Sequence, residues 1–119
     1  GGMGEEEARM FHGDFIVGLE KGEIVAMGAF KQKTPQCAEF KRLRIRPDRQ
    51  RKGYGEQIMK KLAQLAAEKG YTEGFLDTLA ANHRAQKLFE KLGWVRSGGG
   101  KMGPFELFYY SRNLNKGGN

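Results

Sequence analysis

A chain of 119 residues is long enough for one domain with one modest core and excludes two. With 39% hydrophobic and 29% charged residues it has the composition of an ordinary globular protein, and it contains neither an apolar run long enough to cross a bilayer nor a basic-then-apolar leader. The formal net charge of +7 calls for an anionic partner, whether nucleic acid, a membrane surface or a phosphorylated cofactor, and the single cysteine excludes an intrachain disulfide and fits a cytoplasmic protein.

In chain order, Gly1-Gly2-Met3 reads as a tag remnant ahead of a start codon. The polar stretch to Gly13, with Glu5, Glu6 and Glu7, reads as a frayed beginning, which places the domain at 14–114. Two apolar runs, Phe15–Leu19 and Ile24–Phe30, flank a short glycine-bearing turn and predict a β-hairpin. The next strand, Cys37–Arg46, changes phase: Ala38 and Phe40 are even, Leu43 and Ile45 odd. A strand has a side-chain period of two, so an extra residue near Lys41–Arg42, a β-bulge, is needed to keep one core face. Cys37 in this stretch reads as a small buried thiol.

After Pro47 comes a basic, glycine-containing turn, Arg49-Gln50-Arg51-Lys52-Gly53-Tyr54-Gly55. Tyr54, Ile58, Met59, Leu62, Leu65 and Ala66 then recur at helical spacing up to Gly70. Phe75–Thr78 is a short strand, and Asn82 caps a second helix carrying Ala85, Leu88, Phe89 and Leu92 and closed by Gly93. Trp94–Arg96 reads as a strand, Ser97–Pro104 as a glycine-rich loop, Phe105–Ser111 as a last strand and 115–119 as a flexible tail. The order predicts an α/β domain with a mixed sheet, its central strand-helix-strand unit forming a right-handed parallel crossover.

A helix that opens on two glycines offers unpaired N–H groups and the positive end of its dipole, and Arg49, Arg51 and Lys52 add charge at that end. This is the chemistry of a pyrophosphate site. It is not a P-loop, because no Gly-Lys-Ser/Thr is present. It is not the dinucleotide fingerprint either: Ile58 stands where a third glycine belongs, and Pro47–Lys52 separate the glycines from the strand. Asp77 lies near the spacing of that fingerprint's ribose-binding acid, but the charged strand and preceding hairpin speak against it.

Gln50-Arg51-Lys52-Gly53-Tyr54-Gly55 resembles the Arg/Gln-x-x-Gly-x-Gly/Ala signature of the GNAT superfamily of acyl-CoA N-acyltransferases, and Leu43-Arg44-Ile45-Arg46-Pro47 resembles that family's strand ending. Asn82, Ala85, Leu88, Phe89, Gly93 and Trp94 match its second motif. The resemblance runs from about Phe15 to Leu114, and the two motifs in order are specific together. It implies a sheet whose bulged strand and Phe75 strand splay apart. Pantetheine would lie between them along Leu43, Arg44 and Ile45, the pyrophosphate would bind at Gln50, Arg51, Lys52, Gly53, Tyr54, Gly55 and Glu56, and Asn82, Ala85 and Phe89 would approach from the second helix. It further implies acetyl-CoA as cofactor and direct acetyl transfer to a primary amine, small molecule or lysine, without a covalent enzyme intermediate or a metal.

An attacking amine must lose a proton and a thiolate leaves more readily with one, so the chemistry asks for a base and an acid. Glu39 on the bulged strand is the candidate base, its alternative being a surface strand residue. The family's tyrosine acid falls at Phe89, which has no proton to give, so either Tyr109 or Tyr110 replaces it, unless both are core residues, or the thiolate leaves unaided, or activity is poor. His83 and His12 are weaker candidates. The family's helices before the first hairpin, which wall the acceptor site, have no counterpart in the short polar start. The acceptor cleft is then open, completed by a partner subunit such as a second copy, or absent from a fragment. Against the enzyme stand a catalytically weak acyl-CoA-binding module and a nucleic-acid-binding domain, the latter lacking a stacking platform or recognition helix.

Overall fold

The computed structural model describes residues 2–116. Its elements are β1 (Gly4–Met10), β2 (Gly13–Glu20), β3 (Glu23–Thr34), β4 (Cys37–Ile45), α1 (Tyr54–Glu68), β5 (Glu73–Leu79), α2 (His83–Lys91), β6 (Val95–Met102) and β7 (Phe105–Asn113), with single 3-10 turns at Pro47–Arg49 and Leu114–Lys116. The seven strands form one mixed sheet in the order β1-β2-β3-β4-β5-β7-β6, in which β4 and β5 are the parallel pair. The expected fold class is the observed one. No helix among the described residues is long and apolar enough to cross a membrane.

Local chemistry explains the elements. The β2–β3 turn is two residues, Lys21 and Gly22, both at positive φ, the geometry that matches strand twist in a tight hairpin. Helix α1 buries Tyr54, Ile58, Met59, Leu62, Leu65 and Ala66, and it ends where Gly70 takes φ 99° and donates to the Ala67 carbonyl. Helix α2 starts at the Asn82 cap, whose Oδ1 accepts from the Ala85 amide at 3.1 Å. Both helices share one core with the sheet face carrying Phe30, Phe40, Leu76 and Tyr110, with Trp94 edge-on to Phe40 at 5.0 Å. Among the described residues no helix covers the opposite face.

Three expectations need correction. The beginning is not frayed: Gly4–Met10 is an edge strand in register with β2, and Met3 is buried over Gly18. Its acids hid it from any apolar pattern, yet Glu5 accepts from Gln57 at 3.0 Å and Glu7 pairs with Lys61 at 3.4 Å, so α1 supplies the partners that a polar strand needs. Ser97–Met102 is not a loop but the continuation of β6, with only Gly103–Pro104 left as the turn. Glycine weakens a strand on its own, but β7 pairs along the whole stretch and the Tyr109 side chain fills the space above Gly100. Of the expected tail 115–119, Asn115 and Lys116 belong to a 3-10 turn that Leu114 opens, and Gly117–Asn119 lie outside the described residues, as does Gly1.

Candidate functional site

The site begins with the bulge. Ala29 faces Lys41 while Met27 faces Arg44, so β4 carries one extra residue here, and Arg42 takes φ 59° to accommodate it. The expected phase change is thus real, and beyond it Leu43 packs against the helix side of the sheet. The bulge bends β4 away from β5: the two pair only at Cys37, Ala38 and Glu39 against Glu73, Gly74 and Phe75, and then diverge. The divergence leaves a fork with unpaired strand edges. A cavity of about 440 Å3 sits in it, bounded by Glu39, Leu43, Leu76, Asp77, Asn82 and Phe89 among others. A second cavity of about 320 Å3 runs to the mouth of α1, and the two share Leu43, Asn82 and Ala85, forming one cleft.

At the α1 end, Gly53 stands in the left-handed region at φ 82° with open space where a side chain would be, and Arg51 is left-handed too, at φ 64°. Both reversals lie in the loop that leads into α1. The Gln57 amide donates to the Gly53 carbonyl at 3.0 Å, whereas among the described residues the amides of Arg51 to Glu56 find no protein acceptor. Gly55 sits close against α2: a Cβ there would lie 3.2 Å from a Leu88 methyl, which would have to give by a few tenths of an ångström.

The charges around this end differ from the sequence expectation. Arg49 is not available, since its guanidinium is bound to Glu20 at 2.6 Å and Asp48 at 3.0 Å, and Glu20 also accepts from the Tyr54 hydroxyl. Arg51 and Lys52 are exposed and make no ion pair among the described residues. Arg84 is a cation the sequence reading missed: it lines the cleft and donates to Gln50 Oε1 at 2.9 Å. Its one signal is its place in the first turn after the Asn82 cap, and only the packing of α2 brings that turn over the glycine loop. The Glu56 carboxylate is held by Lys91 at 2.8 Å and Lys60 at 3.0 Å, which together keep it below the ordinary glutamate range. Amides without a protein acceptor among the described residues, an unencumbered Arg and Lys, and room at Gly53 suit a diphosphate.

At the fork end, Glu39 is half-buried and lines the cavity, as do Leu43, Arg44, Asn82, Ala85 and Phe89. Ile45 lines the portion toward α1 with Gln50, Arg51, Gly53, Tyr54, Gly55 and Glu56. Tyr109 lines neither portion: its ring packs on Phe75 at 5.4 Å and its hydroxyl lies over β6. Tyr110 is buried on the helix side, where its ring lies 6.1 Å from Phe89 and its hydroxyl donates to Glu90 at 2.9 Å. Burial first, and Glu90 second, push its phenol up. His83 is exposed and lines neither portion. Asp77 and Met102, the latter from the β6–β7 hairpin, complete the fork. Among the described residues no group of three His, Cys, Asp or Glu side chains could hold a metal ion. The Cys37 thiol is buried and pushed up, chiefly by desolvation, so it is a core group and no nucleophile.

Residues 3–94 match the model of the acetyltransferase (GNAT) family. Among curated proteins, the Bacillus subtilis YsnE, described as an uncharacterized N-acetyltransferase, is 29% identical over 94 residues, which are 77% of this chain and 62% of that protein. The chain thus spans somewhat under two thirds of that relative. Among solved structures, a ribosomal-protein-S18-alanine N-acetyltransferase from Escherichia coli superposes with a TM-score of 0.79 at 17% identity, over 89% of this chain and 72% of that one. A GNAT family acetyltransferase from Elizabethkingia anophelis with acetyl-CoA bound gives 0.76 at 14% identity, over 86% and 76%. At these identities the superpositions establish the fold.

Proposed function

The chain belongs to the GNAT acetyltransferase family, and from that premise we propose that it transfers an acetyl group from acetyl-CoA to a primary amine. The observation that carries this reading is the continuous cleft from the amides at the α1 mouth to the β4–β5 fork. The amides of Arg51 to Glu56 hold the coenzyme's diphosphate, helped by Arg51, Lys52 and Arg84. The unpaired edge of β4 at Leu43, Arg44 and Ile45 offers backbone donors and acceptors to the pantetheine amides, as a neighbouring strand would. Asn82 keeps α2 capped at the point where the two cavities meet, and Ala85 and Leu88 give that wall its shallow apolar surface. When bound, acetyl-CoA supplies the activated thioester. Glu39 takes the proton that the amine sheds as its nitrogen bonds to the acyl carbon and the carbon–sulfur bond breaks. Phe89, buried beside the fork, excludes water but gives the leaving sulfur no proton. Tyr110 has a hydroxyl near that ring but spends it on Glu90, and the Tyr109 hydroxyl lies over Gly100 of β6 and lines neither part of the cleft. The thiolate therefore leaves without a tyrosine donor and is protonated from solvent. A buried thiol at Cys37 accords with a cytoplasmic setting.

A second reading, an acyl-CoA-binding module with little turnover, is favoured by one observation, the phenylalanine at position 89. Calorimetric titration with acetyl-CoA, followed by thiol release over a panel of amines and peptides, divides the two. Binding with release for one amine class supports the enzyme, binding without release supports the module, and no binding of acetyl-CoA overturns both.

A further inference from the structure

The net charge of +7 is not used up by the coenzyme site. Seven of the basic residues, Arg9, Arg46, Arg49, Lys60, Lys61, Lys69 and Lys91, are neutralised by carboxylates. Five others stand together on β3 and β4 without an ion pair among the described residues: Lys31, Lys33, Lys41, Arg42 and Arg44. Strand alternation fixes where most of them point. Phe30 and Phe40 are core residues of the helix side, so Lys31, Lys33 and Lys41 point to the opposite face. Beyond the bulge Leu43 and Ile45 return to the helix side and Arg44 to the other, with Arg42 at the bulge between. Lys33 confirms the assignment, its ammonium lying 4.4 Å above the ring of Phe75.

This is the sheet face without a helix, and the fork opens into it. Lys41, Arg42 and Arg44 line the fork cavity with Glu39 and Asp77. The helix side of the fork is closed by core residues, Met59, Leu76 and Phe89, so an acceptor amine reaches Glu39 from the free face. Glu39 lies opposite Lys31 in register, yet no ion pair joins them. Both signs meet at the fork: Glu39 and Asp77 face an arriving ammonium, Lys31 stands across from Glu39 on β3, and Lys41, Arg42 and Arg44 continue along β4.

We propose that this face docks the acceptor and that the acceptor is an acidic peptide segment, its amine placed at the fork and its carboxylates on Lys31, Lys41 and Arg44. Guanidinium forks match carboxylates in plane and charge, and the strip is short and extended, as a few peptide residues are. A nucleic acid fits less well, because the one aromatic pair on this face, Phe75 and Tyr109, is closed by mutual packing and by Lys33. The inference rests on the acetyl-transfer reading for the identity of the fork, but it is tested without turnover.

The test is fluorescence anisotropy on the full chain with a labelled peptide of one lysine and four glutamates. The same peptide with glutamines and a single-stranded oligonucleotide of equal charge serve as comparisons, and acetyl-CoA is titrated in parallel by calorimetry. The glutamate peptide is expected to bind at least about tenfold more tightly than the glutamine peptide, with an affinity that falls as salt rises. Lys31→Glu with Lys41→Glu is expected to abolish that preference, and a cooperative thermal transition within a few degrees of the parent's shows that the variant is folded. Equal binding of both peptides, no binding of either, a variant that keeps the preference, or tighter binding of the oligonucleotide overturns the proposal. Failure of the unaltered chain to bind acetyl-CoA overturns the reading of the cleft and leaves the peptide result to stand or fall by itself.

Discussion

Glycine at position 53 answers two demands at once. Its φ of 82° is costly for any residue with a Cβ, by about 1–2 kcal/mol, and its open outer side is where the proposed diphosphate would meet the amides. Gly53→Leu is therefore expected to weaken acetyl-CoA by well over about tenfold in calorimetry, while lowering the thermal midpoint only by the few degrees that such strain implies. Unchanged affinity would show that the amides are not the coenzyme's contact. Glu39 stands at the other end of the cleft, half-buried on the last β4 residue paired with β5. Glu39→Gln keeps its shape and removes the proposed base, so transfer should slow by roughly 100-fold with coenzyme affinity unaltered. An undiminished rate would take Glu39 out of the mechanism. Residue type and spacing single out both positions in the sequence, and both line the cleft. Arg84 was not legible there, because an arginine in a helix's first turn has no signature until α2 is packed.

Between elements, the bulge in β4 is what turns a sheet into a site. Without it Leu43 and Ile45 would face away from the core and β4 would continue beside β5, leaving no fork. The phase change from Phe40 to Leu43 records this in the sequence, since strand period and core burial cannot both hold without an extra residue. The two helices that flank the fork are tied by Glu56, which bridges Lys60 of its own helix and Lys91 of α2. With its folded-state pKa depressed, Glu56 contributes stability that is full above the unfolded value near about pH 4.3 and is lost as pH falls through the lower folded value. The melting temperatures of the unaltered chain and Glu56→Gln should therefore differ at neutral pH and converge below about pH 4. A gap that persists in acid would mean that the bridge contributes nothing.

For the molecule as a whole, the N-terminal strand is held by a contact no local pattern announces. Asp14 is fully buried and accepts from Lys69 at 2.8 Å, while the same ammonium donates to the Gly13 carbonyl at 2.8 Å and to that of Met10. The end of α1 is thus fastened to the β1–β2 turn. Asp14→Ala should cost about 2 kcal/mol in chemical denaturation, the scale of a hydrogen bond to a charged group, and should loosen amide exchange first in β1. A variant as stable as the parent would show the contact to be incidental. The sequence alone determined the mixed α/β sheet, the two helices with their caps, the bulge and the glycine loop, because each follows from side-chain period, residue type or backbone freedom within a few neighbours. The tertiary structure decided the rest. It made a strand of the acidic beginning and of Ser97–Met102, withdrew Arg49 into an ion pair, brought Arg84 to the cleft and gathered four cations on one face, with Arg42 at the bulge beside them. All of these depend on partners distant in the chain, and such pairings leave no trace in a local pattern.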